Sequence, residues 1–144
     1  MSVNLDTIQS MWSKDSVMNE DDLGFESLRI PQLHAKYFDL YNTLTLLRKQ
    51  AEKRRQQIDL ERYKYYTGKA DAAVYVEEPF PYKVREKDAI QRYMLSDEKL
   101  SDAKLKVEYF DVMLSYLEEI IKQLSNRTFQ IKNAIEWARF QTGG

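Results

Sequence analysis

From Leu100 onward, apolar residues recur in two rows of seven-residue steps, and no other feature constrains the chain as much. Leu100, Val107, Leu114, Ile121, Thr128 and Ile135 form one row, broken in character only by the threonine. Ala103, Phe110, Leu117, Leu124, Ile131 and Ala138 form the other, three residues further on. A 3-4 spacing sustained from 100 to 138 predicts one long helix with a continuous sticky seam, as in a coiled coil or bundle. Ser96 is placed to cap its start, with Asp97 and Glu98 where the helix dipole favours negative charge. Gly143 and Gly144 end it, and no proline interrupts it. At about 1.5 Å per residue such a helix runs roughly 65 Å. It cannot cover its own seam, so the partner is another part of the chain or another copy of it. Leu114, Leu117, Ile121, Leu124, Phe129, Ile131, Ile135 and Trp137 are the expected assembly residues. Phe129, Trp137 and Phe140 lie off the two rows, and a helix apolar on two faces touches two neighbours.

A second seven-residue pattern precedes it. Ile30, Tyr37, Leu44, Ala51, Ile58 and Tyr65 form one row, and Leu33, Leu40 and Leu47 begin another that turns charged at Arg54 and Glu61. The first half of this helix should pack tightly and the second should lean outward or pack on one row. Ser27 is the expected cap, with Pro31 in the first turn, and Gly68 the expected C-terminal stop. The fold class predicted is all-α: two long helices, antiparallel, with a short N-terminal helix and an extended connection. Leu5, Ile8, Met11 and Trp12 give that short helix within residues 2–15, capped by Asn4 or Asp6, and residues 16–26 read as an acidic linker. Residues 1–30 hold six acids against Lys14 and Arg29. Between the long helices, residues 70–87 carry Pro79 and Pro81 and read as a loop with an aromatic anchor, because prolines so close demote any strand to an edge. A short helix is expected over 88–95. The segments are therefore 1–26 (short helix and linker) and 27–144, the latter divided at 68 and 95.

The 144 residues are 43% hydrophobic and 31% charged, with four glycines and three prolines, which suits long helices with narrow apolar stripes. There is no cysteine, which excludes disulfides, thiolate metal sites and cysteine nucleophiles, and His34 alone cannot build a histidine metal site. No apolar run reaches the roughly 18 residues of a membrane span, and the first residues lack a signal peptide's pattern, so a soluble cytoplasmic protein is expected. Phosphate loops, nucleophile elbows and metal-ligand spacings are missing, so neither an enzyme nor a cofactor is expected.

One stretch points to a ligand. Residues 48–69 carry eight cations against three carboxylates, a net +5, with Tyr63, Tyr65 and Tyr66 interleaved. Cations that neutralise phosphates beside aromatics that stack on bases are what a single-stranded nucleic acid needs. The competing reading is a solvated helix with internal ion pairs and core tyrosines, and Tyr65 lies on the seam. Arg54, Arg55, Arg62, Lys64, Tyr66 and Lys69 are the expected contacts.

Three motifs then resemble a known family. Tyr65-Tyr66-Thr67-Gly68-Lys69-Ala70-Asp71, Met94-Leu95-Ser96-Asp97-Glu98-Lys99, and the run from Ser125-Asn126-Arg127-Thr128-Phe129-Gln130-Ile131 to Phe140 and Gly143 are similar, in order, to UvsY, the recombination mediator family of tailed bacteriophages. The likeness spans roughly residues 28–144. It implies a non-enzymatic helper that binds single-stranded DNA, contacts a RecA-like recombinase and a single-strand-binding protein, and helps the first displace the second. It also implies a ring-like homo-oligomer, a hexamer or heptamer, held through the C-terminal region, in the host-cell cytoplasm if phage-encoded. Basic residues just before the Tyr-Tyr pair are linked to DNA binding in the family. Arg62 matches one, while the other position holds Leu60, for which Lys64, Arg54 or Arg55 would compensate. The alternative is a helical scaffold that binds only protein.

Overall fold

The computed structural model describes residues 3–143. Five helices follow in order: α1 (Leu5–Asp15), α2 (Leu23–Tyr66), α3 (Ala72–Glu77), α4 (Lys87–Ser96) and α5 (Glu98–Gln141). No strand occurs among the described residues, so the chain is all-α and built on two long helices. It forms two compact units. The first combines the segment up to Thr45 with the segment from Asp111, and the second is Leu46–Phe110. These boundaries do not coincide with the divisions at 26, 68 and 95 expected from the sequence, because each long helix contributes a part to each unit.

In the first unit, α1 is capped by Asn4, not Asp6: Asn4 Oδ1 accepts from the Thr7 amide at 2.8 Å. Ile8 and Trp12, one turn apart, are buried, and Trp12 meets Tyr37 edge to face at 5.6 Å. The far end of α1 has carbonyls without helical partners, and side chains from both long helices supply them. Arg29 donates to the Asp15 carbonyl at 2.8 Å, and Arg127 donates to the Ser16 carbonyl at 3.0 Å. The Asp15 carboxylate accepts from Tyr37 Oη and Lys36 Nζ, each at 2.7 Å. Burial pushes its pKa up, but these bonds outweigh burial and hold it below the ordinary value. Helix α1 is thus docked on the long helices.

The seam of the last helix is where expectation and structure part. Leu114, Leu117, Leu124 and Ile131 are buried inside this unit, together with Met113 and Ile120. Ile121 is half-buried. The expected intermolecular surface is therefore mostly the chain's own core, because α1 and the first part of α2 provide enough apolar surface to cover it. Phe129, Ile135 and Trp137 remain exposed, as does Phe140. Trp137 and Phe140 stack on one another, with centroids 5.8 Å apart.

The start of α2 also differs. The helix begins before Ser27, because Asp22 caps it, accepting from the Phe25 amide through Oδ1 at 3.2 Å and from the Glu26 amide through its carbonyl at 3.1 Å. Pro31 therefore lies inside the helix, where it deprives the Ser27 carbonyl of its usual partner.

In the second unit, Ala51, Tyr65, Leu100 and Val107 are buried, but Arg54 and Glu61 on the other row are exposed and form an ion pair at 3.7 Å. Only one row packs, and a cleft of about 620 Å³ opens beside Arg54, Glu61, Lys106 and Phe110. The cap of α5 is Asp97 and not Ser96: Asp97 Oδ1 accepts from the Leu100 amide at 2.8 Å. Ser96 instead ends α4 and donates to the Arg92 carbonyl at 2.8 Å. The segment expected to be a loop contains the six-residue α3 before the prolines. Tyr75 explains it: its hydroxyl donates to the Tyr65 carbonyl at 2.8 Å and accepts from the Ala70 amide at 3.3 Å, which ties α3 to the end of α2.

Candidate nucleic-acid interface

The basic stretch of α2 does not present one uniform face. Helical geometry and neighbouring carboxylates sort the five cations expected to contact a ligand into three groups.

Arg62 points inward and is 6% exposed. Its Nε donates to Asp97 Oδ2 at 2.6 Å, and its Nη atoms reach the two Glu78 carboxylate oxygens at 3.2 and 3.1 Å. The guanidinium lies over the Tyr65 ring at 4.2 Å and the Tyr66 ring at 5.3 Å. Tyr66 Oη also donates to Asp97 Oδ2, at 2.7 Å. Burial, the largest influence on each group, works against charge on both Arg62 and Asp97. The hydrogen bonds and ion pairing outweigh it, so Asp97 stays below the ordinary carboxylate value and Arg62 above the ordinary arginine value. With three of its five N–H donors engaged and the residue 6% exposed, Arg62 is turned away from solvent, where a phosphate would lie. Arg62 and Tyr66, both expected to touch DNA, instead join α2, the residue after α3 and the start of α5.

Tyr66 is further committed through its ring. It meets Tyr65 and Phe80 edge to face and stacks on Tyr93 at 5.4 Å, while Tyr65 stacks on Tyr75 at 5.4 Å. Phe80, between the two prolines, contacts Tyr65, Tyr66, Tyr82 and Tyr93. This is the aromatic anchor the proline segment was expected to have. Burial raises the pKa of both Tyr65 and Tyr66, so their hydroxyls remain protonated donors.

Arg54 and Arg55 are the second group. Arg55 is bound at Glu52 Oε1 at 2.6 Å and lies 3.8 Å from Asp59, as Arg54 is paired with Glu61. These are surface pairs on one helix, and such pairs exchange readily with solvent and ligands.

Lys64 and Lys69 are the third group. Both are exposed and neither makes an ion pair among the described residues. They line one cleft of about 400 Å³, which also holds Glu61, Asp71, Glu77 and Glu78. Gly68 brings them together. With φ at 77° it takes the left-handed conformation, and the Lys69 amide returns to the Lys64 carbonyl at 2.8 Å.

Other functional candidates lie outside the stretch expected from sequence. Arg85 and Lys87 are exposed, make no ion pair among the described residues, and border a cleft with Tyr63. The signal was present as cations at every second position, Lys83, Arg85 and Lys87, diluted in the count by Glu86 and Asp88. No group of side chains suited to hold a metal occurs among the described residues, and no helix is long and apolar enough to cross a membrane.

Comparison with known proteins follows the same direction. The family model described as recombination, repair and ssDNA binding protein UvsY matches residues 11–144. No curated protein matches the sequence. Among solved structures, the chain is similar to the bacteriophage T4 recombination mediator protein UvsY in two crystal lattices. The type II lattice gives a TM-score of 0.86 at 18% identity, covering 98% of this chain and 99% of that one. The type IV lattice gives 0.82 at 16% identity, covering 96% and 99%. At such identities the structures establish a shared fold.

Proposed function

Because the chain belongs to the UvsY family of recombination, repair and single-stranded-DNA-binding proteins, we propose that it is a non-enzymatic recombination mediator. It holds unpaired DNA and helps a RecA-like recombinase replace single-strand-binding protein on it. The observation that carries the reading is the pair Lys64 and Lys69, two cations without an ion pair among the described residues that line one cleft across the Gly68 turn. Arg54 and Arg55 add to this when their weak surface pairs open. Arg62 and Tyr66 act beneath the surface as positioning residues. The carboxylates around Lys64 and Lys69 limit affinity, which suits a protein that must release the strand to a recombinase.

Assembly is the second part of the proposal. Phe129, Ile135, Trp137 and Phe140 form the apolar end of α5 that the described chain leaves exposed, and a further copy of the chain covers it in a hexamer or heptamer. Weak DNA sites then add through effective concentration.

The test is an anisotropy titration with labelled oligo-dT at several salt concentrations, paired with light scattering. Binding that weakens linearly in log–log form with salt supports the reading. Failure of the wild-type chain to bind oligo-dT at low salt would overturn it in favour of a protein-only scaffold.

A further inference from the structure

Tyr63 differs from its neighbours on α2. Tyr65 and Tyr66 have their rings and hydroxyls occupied within the chain, whereas Tyr63 is 43% exposed and its ring contacts no other aromatic ring among the described residues. It forms one wall of a cleft of about 540 Å³, within the range of ligand-sized cavities. Ile90 and Met94 on α4 line the cleft with apolar surface, Gln91 contributes an amide, and Arg85 and Lys87 contribute positive charge. No carboxylate lines it, in contrast to the Lys64–Lys69 cleft with its four.

From this juxtaposition we infer that the cleft is a base-binding site, taking one unpaired nucleotide of a DNA strand. The base stacks on Tyr63 over Ile90 and Met94, and the adjoining phosphates sit on Arg85 and Lys87. Each part has a chemical reason. A base offers a flat apolar face that a tyrosine ring and a methionine thioether match. Its amide and carbonyl edges can be met by Gln91, which both donates and accepts. Its phosphates need cations not already neutralised. Tyr63 also lines a second cleft, with exposed Leu60, Arg55 and Asp59, where the Arg55 charge is shared with Asp59 at 3.8 Å, so a neighbouring nucleotide has apolar surface to follow there more than a free cation. The inference rests on the proposed DNA-binding function and adds a site that Tyr63 of α2 shares with α4 and the segment before it.

The experiment compares the wild-type chain with Tyr63→Ala, Tyr63→Phe and the double variant Arg85→Ala, Lys87→Ala. The probes are labelled oligo-dT and an abasic oligonucleotide of equal length. Tyr63→Ala is expected to weaken oligo-dT binding about tenfold, the scale of one lost base stack, with the salt slope unchanged. Tyr63→Phe keeps wild-type affinity, because the ring and not the hydroxyl does the stacking. The abasic probe binds wild type and Tyr63→Ala alike. The double variant loses about 1.4 from the salt slope, as for two phosphates on a single strand. Oligo-dT carrying 5-iododeoxyuridine should cross-link to Tyr63 on the wild-type chain, a result that depends on no variant folding. A wild type that binds oligo-dT while Tyr63→Ala binds it equally well, or cross-links confined to other residues, would overturn the site alone. A wild type that binds neither probe overturns the functional reading, and the site with it.

Discussion

Arg62 Nε donates to Asp97 Oδ2 at 2.6 Å, and both residues are more than nine-tenths buried. The same aspartate caps α5 and accepts from Tyr66, so one carboxylate fixes three parts of the second unit. Removing Arg62 leaves that charge buried without its partner. Arg62→Ala is therefore expected to cost about 3–5 kcal/mol in urea unfolding, as for other broken buried pairs. Arg62→Lys should recover only part, since an ammonium cannot reproduce the guanidinium's fork to Asp97 and Glu78. If Arg62→Ala instead kept full stability and reduced the salt slope of DNA binding, the side chain would be a phosphate contact after all.

The direction of the carboxylate shifts sets the acid limit. Asp97 and Asp15 both have pKa values held below the ordinary 3.8. A depressed pKa contributes stability that is fully present above the unfolded value and lost as pH falls through the folded one. Thermal stability should thus be flat with respect to these two groups above about pH 5 and decline below about pH 4. Asp97→Asn should lower stability at neutral pH and flatten the acid limb. An unchanged limb in calorimetric scans would show that Asp97 does not drive it.

Two substitutions on α5 should behave in opposite ways. Ile131 is buried in the first unit, so Ile131→Asp places a charge in the core and is expected to unfold that unit, seen as lost helicity in circular dichroism. Trp137 and Phe140 are 60% and 76% exposed. Trp137→Ala with Phe140→Ala should keep helicity and melting temperature but reduce the particle mass in light scattering. A double variant with wild-type mass would place the assembly surface elsewhere.

Lys64→Ala with Lys69→Ala removes two exposed cations without touching the core. The expected result is a salt slope shallower by about 1.4 and unchanged stability. Arg54→Ala, whose charge is already shared with Glu61, should change the slope by less.

The sequence was most legible where one periodic signal controlled the outcome. The rows that run through Ile131 to Ala138 and through Ile58 to Tyr65 predict both long helices, and Gly68 predicts the stop that the structure shows. What the rows could not say was whose surface covers them. Leu117 and Leu124 look alike whether buried by a second copy or by α1, because periodicity reports an apolar face and not its partner. The basic run was misleading in a related way. Arg62 and Lys64 carry the same charge in a composition count, yet they are 200° apart around a helix at about 100° per residue. One therefore meets Asp97 while the other meets solvent. Boundaries shifted where an aspartate outcompeted a serine, at Asp22 over Ser27 and at Asp97 over Ser96. The helix α3 was missed because its stability comes from Tyr75 hydrogen-bonding back to Tyr65, a contact no local pattern encodes.

Arg127 reaches the carbonyls at the end of α1 across 111 positions of sequence, whereas Leu46–Phe110 is continuous. During synthesis the middle of the chain can mature as soon as it emerges, while the opening helix, already able to meet Arg29, Lys36 and Tyr37, gains its Arg127 bonds only with the final one. A ribosome paused before Arg127 would display a finished centre and an N-terminal segment held by α2 alone, more open to proteases and chaperones until the last turns arrive.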